Sequence, residues 1–210
     1  MATSPSKEKI LKKIREALSN PVPLPFPQSE GTNTVYVENR DDVVVTFAEE
    51  FTKLQGKFIF CENEIVLTNQ LAQLITQRSW SNVFCKETAL QNYLTAINIS
   101  RYNDLPSCDV SITGCEYLVA RTGTIVMSAA QESGRTTSVY APVHICIAYT
   151  NQVVYDVKDA LKTLKEKYAY NFPSFTTFAS GPSRTADIEK TLVTGVHGPK
   201  EVFCFLVERT

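Results

Sequence analysis

The sequence predicts an α/β protein with a mostly parallel sheet, helices on both faces and an added β-hairpin. Three observations predict it. Stretches with apolar residues at helical spacing alternate with short apolar runs from about residue 41 to 113. Two longer strand-like runs, Gly123–Ala129 and Val139–Tyr149, then follow with no helical pattern between them. The chain has 210 residues, a length that suits one sizeable domain able to bury a core without disulfides.

Residues Ser6–Leu18 place Ile10, Leu11, Ile14, Ala17 and Leu18 on one side of a helix, with lysines, Arg15 and Glu16 between them. Pro21, Pro23, Pro25 and Pro27 then forbid helix and favour extended chain. Residues 1–28 are therefore read as a leading helix and proline-rich linker, and 29–210 as a single domain. Asp41 or Asp42 starts a helix to about Leu54, stopped by Gly56. Lys57–Cys61 is a strand, Ile65–Gln77 a helix with Leu67, Leu71, Leu74 and Ile75 inward, and Asn82–Cys85 a strand. Lys86–Asn98 is a helix and Asp109–Thr113 a strand. The polar segment Gln131–Arg135 would join the two strands of the hairpin. Asp156–Tyr168 is helical, Phe175–Ala179 a strand, Thr185–Val193 a short helix ended by Gly195, and Val202–Val207 the last strand.

Composition narrows the function. A net charge of −1 without a basic block removes the electrostatic footprint of nucleic-acid binding. No run of about 18 apolar residues suggests a membrane span, and Met1–Lys9 lacks the apolar centre of a signal peptide, so the expected location is the cytoplasm. Six cysteines, at 61, 85, 108, 115, 146 and 204, form no Cys-x-x-Cys pair and sit largely in apolar runs. They read as buried thiols rather than ligands of zinc or of an iron–sulfur cluster. There is no phosphate loop, no Gly-x-Gly-x-x-Gly fingerprint and no Gly-x-Ser-x-Gly elbow.

Three segments are candidate sites. Ser180–Thr185, between a strand and a short helix, offers Gly181, Ser183, Arg184 and Thr185. In open α/β sheets ligands gather at the carboxyl ends of strands, and a helix N-terminus there attracts anions. Arg184 would add a two-pronged donor for carboxylate or phosphate. The competing reading has Ser183 as a helix cap, with Asp187 and Glu189 complementing the dipole. Gly195–Pro199 is a tight turn carrying His197, beside Gly195 and Gly198, and its competing reading is a solvated loop. Thr122, Gly123 and Thr124 supply hydroxyls and close backbone approach at a strand entry. His144, on the strand face shared with Cys146, reads as a core histidine. The spacing supports no metal site.

Thr122–Val126, Pro142–Ile145, Gly181–Glu189 and Gly195–Pro199 occur in that order, and in them the chain resembles the lactate-utilisation (LUD) domain family, C-type subunit, once described as a domain of unknown function. The resemblance runs from about residue 40 to the end. It implies a Rossmann-like sheet similar to the sugar-phosphate isomerase and CoA-transferase group. It also implies an accessory or substrate-handling role in bacterial oxidation of L-lactate to pyruvate, with iron–sulfur clusters in partner proteins and no cofactor in this chain. The ligand expected is a small anion, lactate- or pyruvate-like or phosphate. Arg121 stands where the family often has an acidic residue. Two alternatives stay open: a stand-alone enzyme on a phosphorylated or CoA-linked molecule, with His197, Asp187 or Glu189 as acid–base groups, and a non-catalytic sensing or assembly module. Homo-oligomerisation is compatible with either.

Overall fold

A computed structural model describes residues 5–19, 42–100, 102–186, 192–195 and 197–209. The proline run, Asp187 and Glu189 lie outside the described residues. The chain divides into two units, residues 1–40 and 41–210. In the first, α1 (Pro5–Ser19) is the expected amphipathic helix, and Ile10 and Ile14 are exposed.

The second unit opens with α2 (Val43–Lys53), capped by Asp42, whose carboxylate accepts from Val44 N at 2.8 Å. Its Phe47 and Phe51 are fully buried, with stacked rings 5.4 Å apart. Gly56 ends the turn because the Phe51 ring lies where a side chain would go: an added Cβ would stand 2.4 Å from it. β1 (Lys57–Cys61), α3 (Glu64–Arg78), β2 (Val83–Cys85), α4 (Thr88–Ala96) and β3 (Val110–Thr113) follow as the periodicity predicts. Asp109 leads β3 because its carboxylate accepts from Ser81 N and Asn82 N, tying it to the start of β2.

Next come β4 (Tyr117–Val119), β5 (Thr124–Ser128), a single turn α5 (Thr137–Tyr140), β6 (Val143–Tyr149), β7 (Val153–Val154) and α6 (Val157–Tyr168). β8 (Thr176–Ala179), β9 (Arg184–Ala186), β10 (Leu192–Thr194) and β11 (Glu201–Val207) complete the chain. A wholly parallel sheet runs β1-β11-β6-β3-β2. A second sheet runs β7-β4-β5-β8, with β5 antiparallel to both β4 and β8. β9 and β10 form a separate antiparallel pair.

Two expectations change. The expected hairpin partners, β5 and β6, lie in different sheets. The hairpin is instead β4–β5, turning through Ala120–Thr122 and Gly123. The expected helix Thr185–Val193 is replaced at both described ends by strands, because Thr185 pairs with Val193 and Arg184 with Thr194.

Strand alternation distributes the core. Val143, Ile145 and Ile147 of β6 join Leu67, Leu71 and Leu94 of α3 and α4. Cys146 and Ala148 face the other way, toward Phe47, Phe51, Leu118 and Ile125. That second face of the parallel sheet is covered by α2 and the second sheet together. The outer face of the second sheet packs Val119 and Val126 on Ala160 and Leu164 of α6. Burying each such Leu or Phe contributes roughly 1.5–3 kcal/mol.

One charged group is built into this packing. Glu116 is buried and accepts from Ser128 Oγ at 2.5 Å, Lys167 Nζ at 2.7 Å and Tyr168 OH at 2.7 Å. Burial pushes its carboxyl upward, but these donors overcome that and hold it below the usual carboxylate range. All six cysteines are buried and none forms a disulfide. Among the described residues no helix is long and apolar enough to cross a membrane.

Candidate functional site

The Gly181–Ser183 and Gly195–Pro199 segments lie side by side. The Ser183 amide donates to the Pro199 carbonyl at 2.9 Å, and the Gly195 amide donates to the Ser183 carbonyl at 3.0 Å. Gly198 is required by this approach, since an added Cβ would meet Ser183 Cβ at 2.9 Å. The β9–β10 pair lies between the two segments in sequence and brings them back together.

Beside them are two adjoining cavities. The inner one, about 230 Å³, is lined by Ser138, Val139, His144, Thr177, Ala179, Ser180–Ser183, His197–Pro199 and Val202. The outer one, about 390 Å³, is lined by Val139–Pro142, Gly195, His197, Gly198 and Lys200. Val139, His197 and Gly198 belong to both. The walls come from the end of β8 in one sheet and the amino ends of β6 and β11 in the other. This corrects the expectation of a site at the carboxyl ends of parallel strands.

At the inner wall, the His144 side chain is engaged by Thr113, with Thr113 Oγ1 and His144 Nε2 2.8 Å apart. Only 1 % of His144 is exposed, and burial lowers its pKa to about 4. It is therefore neutral near pH 7. The adjacent Ser111, its cross-strand partner, has a buried hydroxyl without a hydrogen-bond partner among the described residues. His144 is thus buried, as its apolar strand predicts, and also lines the cavity.

Gly181, Ser183, Gly195, His197 and Gly198 all line the cavities. Arg184 does not. Its guanidinium donates to the Leu54 carbonyl, at the end of α2. Gly181 approaches the same carbonyl, where an added Cβ would stand 2.5 Å from the oxygen. With β9 in place of a helix, neither a Ser183 cap nor a helix dipole exists at this point. Thr185 lies in β9.

The Thr122–Thr124 turn does not line either cavity. Gly123, at φ 54°, lets the chain press on α2, since a Cβ would meet Phe51 N at 2.5 Å. Thr124 Oγ1 bonds Ser180 Oγ and Thr122 Oγ1, each at 2.8 Å, and so supports the cavity wall from behind. Arg121 forms an ion pair with Asp156 at 2.8 Å, away from the cavity linings. Arg121, which stands where the family often has an acidic residue, thus holds the residue that caps α6.

Sequence reasoning missed Lys200, Ser138 and Thr177. Lys200 directly follows the Gly195–Pro199 motif, which is the only signal that would have pointed to it. Among the described residues no group of three or more His, Cys, Asp or Glu side chains could hold a metal ion.

The family model described as the LUD domain matches residues 28–207. The chain belongs to the LUD domain family. This LUD protein is 37% identical over 95 residues to an uncharacterized protein of Neisseria meningitidis serogroup B, covering 45% of this chain and 40% of that one. It is 29% identical over 140 residues to a protein named lactate utilization protein C from Bacillus licheniformis, covering 66% of this chain and 57% of that one. Its namesake in Bacillus subtilis is 34% identical over 101 residues, or 47% and 42% of the two chains. The matched stretches span about half the length of these curated relatives. In fold, the LUD protein is similar to a crystal structure of a DUF162 family protein from Deinococcus radiodurans, with a TM-score of 0.61 and 17% identity, over 81% of this chain and 99% of that one.

Proposed function

We propose that this LUD protein takes part in lactate utilisation as an accessory or substrate-handling subunit and binds a small anion in the paired cavities. The carrying observation is the convergence of Gly181–Ser183, Gly195, His197–Pro199 and His144 on one space, with Lys200 beside it. The names of the Bacillus relatives supply the pathway. The inner cavity is smaller than the roughly 300–1,000 Å³ usual for drug-sized ligands, which suits a lactate-sized acid. Lys200 and His197 supply the donors for a carboxylate, in place of Arg184. The backbone of two glycine-bearing turns allows close approach. Iron–sulfur partner proteins would carry the electrons of lactate oxidation, and this chain would present the substrate.

The test is titration of the full chain with L-lactate, pyruvate and inorganic phosphate, in wild type and Lys200→Ala. Binding of the acids, weakened several-fold by the substitution, is expected. No binding of any of the three overturns the reading, and binding of phosphate alone moves it to phosphorylated ligands. In the source cell, undiminished growth on L-lactate after gene deletion, with no other lactate-oxidising enzyme present, would remove the pathway assignment.

A further inference from the structure

The helix α1, in the first unit, carries both an aliphatic stripe and an excess of cations. Ile10 and Ile14 are 59 % and 49 % exposed, and Leu11 beside them is partly buried. Successive residues of an α-helix are turned by about 100°, so these three share one face. Lys13 and Arg15 then stand about 100° to either side of the centre of that face, one on each of its borders. Lys12 and Glu16 lie on the side away from it, paired at 4.0 Å. Lys7, Lys9, Lys12, Lys13 and Arg15, set against Glu8 and Glu16, give α1 a net positive charge, whereas the whole chain carries −1. The rest of the chain is therefore net acidic, opposite in sign to this helix.

We propose that α1 docks flat on a bilayer surface bearing anionic headgroups, with Ile10, Leu11 and Ile14 at the acyl boundary and Lys13 and Arg15 at the level of the phosphates. With 15 residues and charges interspersed throughout, α1 is too short and too polar to cross a bilayer. A helix with one apolar stripe and a cationic polar face suits the plane of the interface instead. The cations on both borders of the stripe favour a bilayer over a groove in a protein. In a bilayer both borders rest at the same depth, and the stems of Lys13 and Arg15 can run along apolar surface while their charges reach the phosphates. Anionic headgroups attract α1 and repel the acidic remainder of the chain, which fixes the side that faces the membrane. This docking is independent of the small-acid reading of the paired cavities, and either can fail without the other.

The test is co-sedimentation of the full chain with vesicles of phosphatidylcholine, and with vesicles in which phosphatidylglycerol replaces part of it. Binding to the anionic vesicles, roughly tenfold or more above the neutral ones and lost at high salt, is expected. Ile10→Gln with Ile14→Gln keeps good helix formers in place and removes the stripe, and is expected to abolish binding. Lys13→Gln and Arg15→Gln are each expected to weaken it about fivefold. Lys12→Gln, about a helix diameter further from the surface, is expected to weaken it much less, because that distance is close to the screening length. Unchanged near-UV circular dichroism shows that the second unit is intact in each variant. A chain that ignores anionic vesicles overturns the proposal. So does equal loss from Lys12→Gln and Lys13→Gln, which would reduce the effect to net charge without orientation, and so does binding that survives removal of the stripe. A chain that ignores vesicles but forms dimers lost in the Ile10 and Ile14 variant overturns the bilayer in favour of a second copy of α1.

Discussion

The backbone amide of Ser183 donates to the carbonyl of Pro199 across 2.9 Å. With Gly195 donating to the Ser183 carbonyl, both backbone groups of Ser183 are committed to the opposite segment. The cavity wall is therefore a paired backbone rather than two independent loops.

Gly198→Ala tests that pairing. The added methyl would crowd Ser183 Cβ at 2.9 Å and push the segments apart. Overpacking of this kind costs about 1–3 kcal/mol. Urea denaturation is expected to show a lower midpoint. Titration with L-lactate is expected to show weakened binding, even at temperatures where the variant is fully folded.

Stability should fall as pH is lowered from about 6.5 toward about 4. His144 has a folded pKa lowered to about 4 from 6.5. Between these values the unfolded chain binds a proton that the native chain does not. The stabilisation is thus present above pH 6.5 and lost as pH falls, at up to about 1.4 kcal/mol per pH unit, with no further loss from this group below its folded pKa. Denaturation curves at half-unit steps, in wild type and His144→Gln, isolate the contribution. An unchanged slope in the variant would assign the effect to other groups.

Glu116→Gln should destabilise the protein by about 1–3 kcal/mol near pH 7, because a buried carboxylate with three donors loses its charge-assisted bonds. The Glu116 carboxyl is held below its ordinary range. Its contribution is present above the unfolded carboxylate pKa and lost as pH falls through the lower folded value. The difference between wild type and variant should therefore shrink at acid pH. Chemical denaturation at pH 7 and at pH 3 checks it.

Arg121→Ala should lower stability and leave ligand affinity alone. Burial pushes the Asp156 carboxyl up, but Arg121 and the Lys158 amide overcome this and hold it below its usual value. Asp156 also caps α6 through Lys158 N. Loss of the ion pair is expected to cost about 1–2 kcal/mol. A changed affinity for L-lactate, measured by titration, would give Arg121 a part in the site.

The legible part of the fold is the part governed by period. Phe47 and Phe51 mark the inner side of α2, Leu67, Leu71 and Ile75 that of α3, and β6 alternates residue by residue. The misread parts are short or depend on partners distant in sequence. β4 is three residues long and buried on both faces, so it has no alternation to read. Arg184–Thr194 contains spaced charges that suit an exposed helix, yet the described ends pair as strands. For the site, the glycine-bearing motifs were visible because close approach demands glycine at Gly198. Arg184 was misassigned because its partner, the Leu54 carbonyl, is 130 residues away. Lys200 was missed because an exposed lysine beside a turn is chemically ordinary until the cavity is seen.

The paired cavities have walls in both sheets: β6 and β11 on one side, the end of β8 on the other. Such a space comes into being only when the sheets dock. During refolding, recovery of strand signal by circular dichroism should therefore precede recovery of ligand binding, and a compact intermediate with both sheets formed but undocked would be blind to ligand. Added ligand would accordingly act on the docked state alone, raising the unfolding barrier while leaving the earliest collapse untouched.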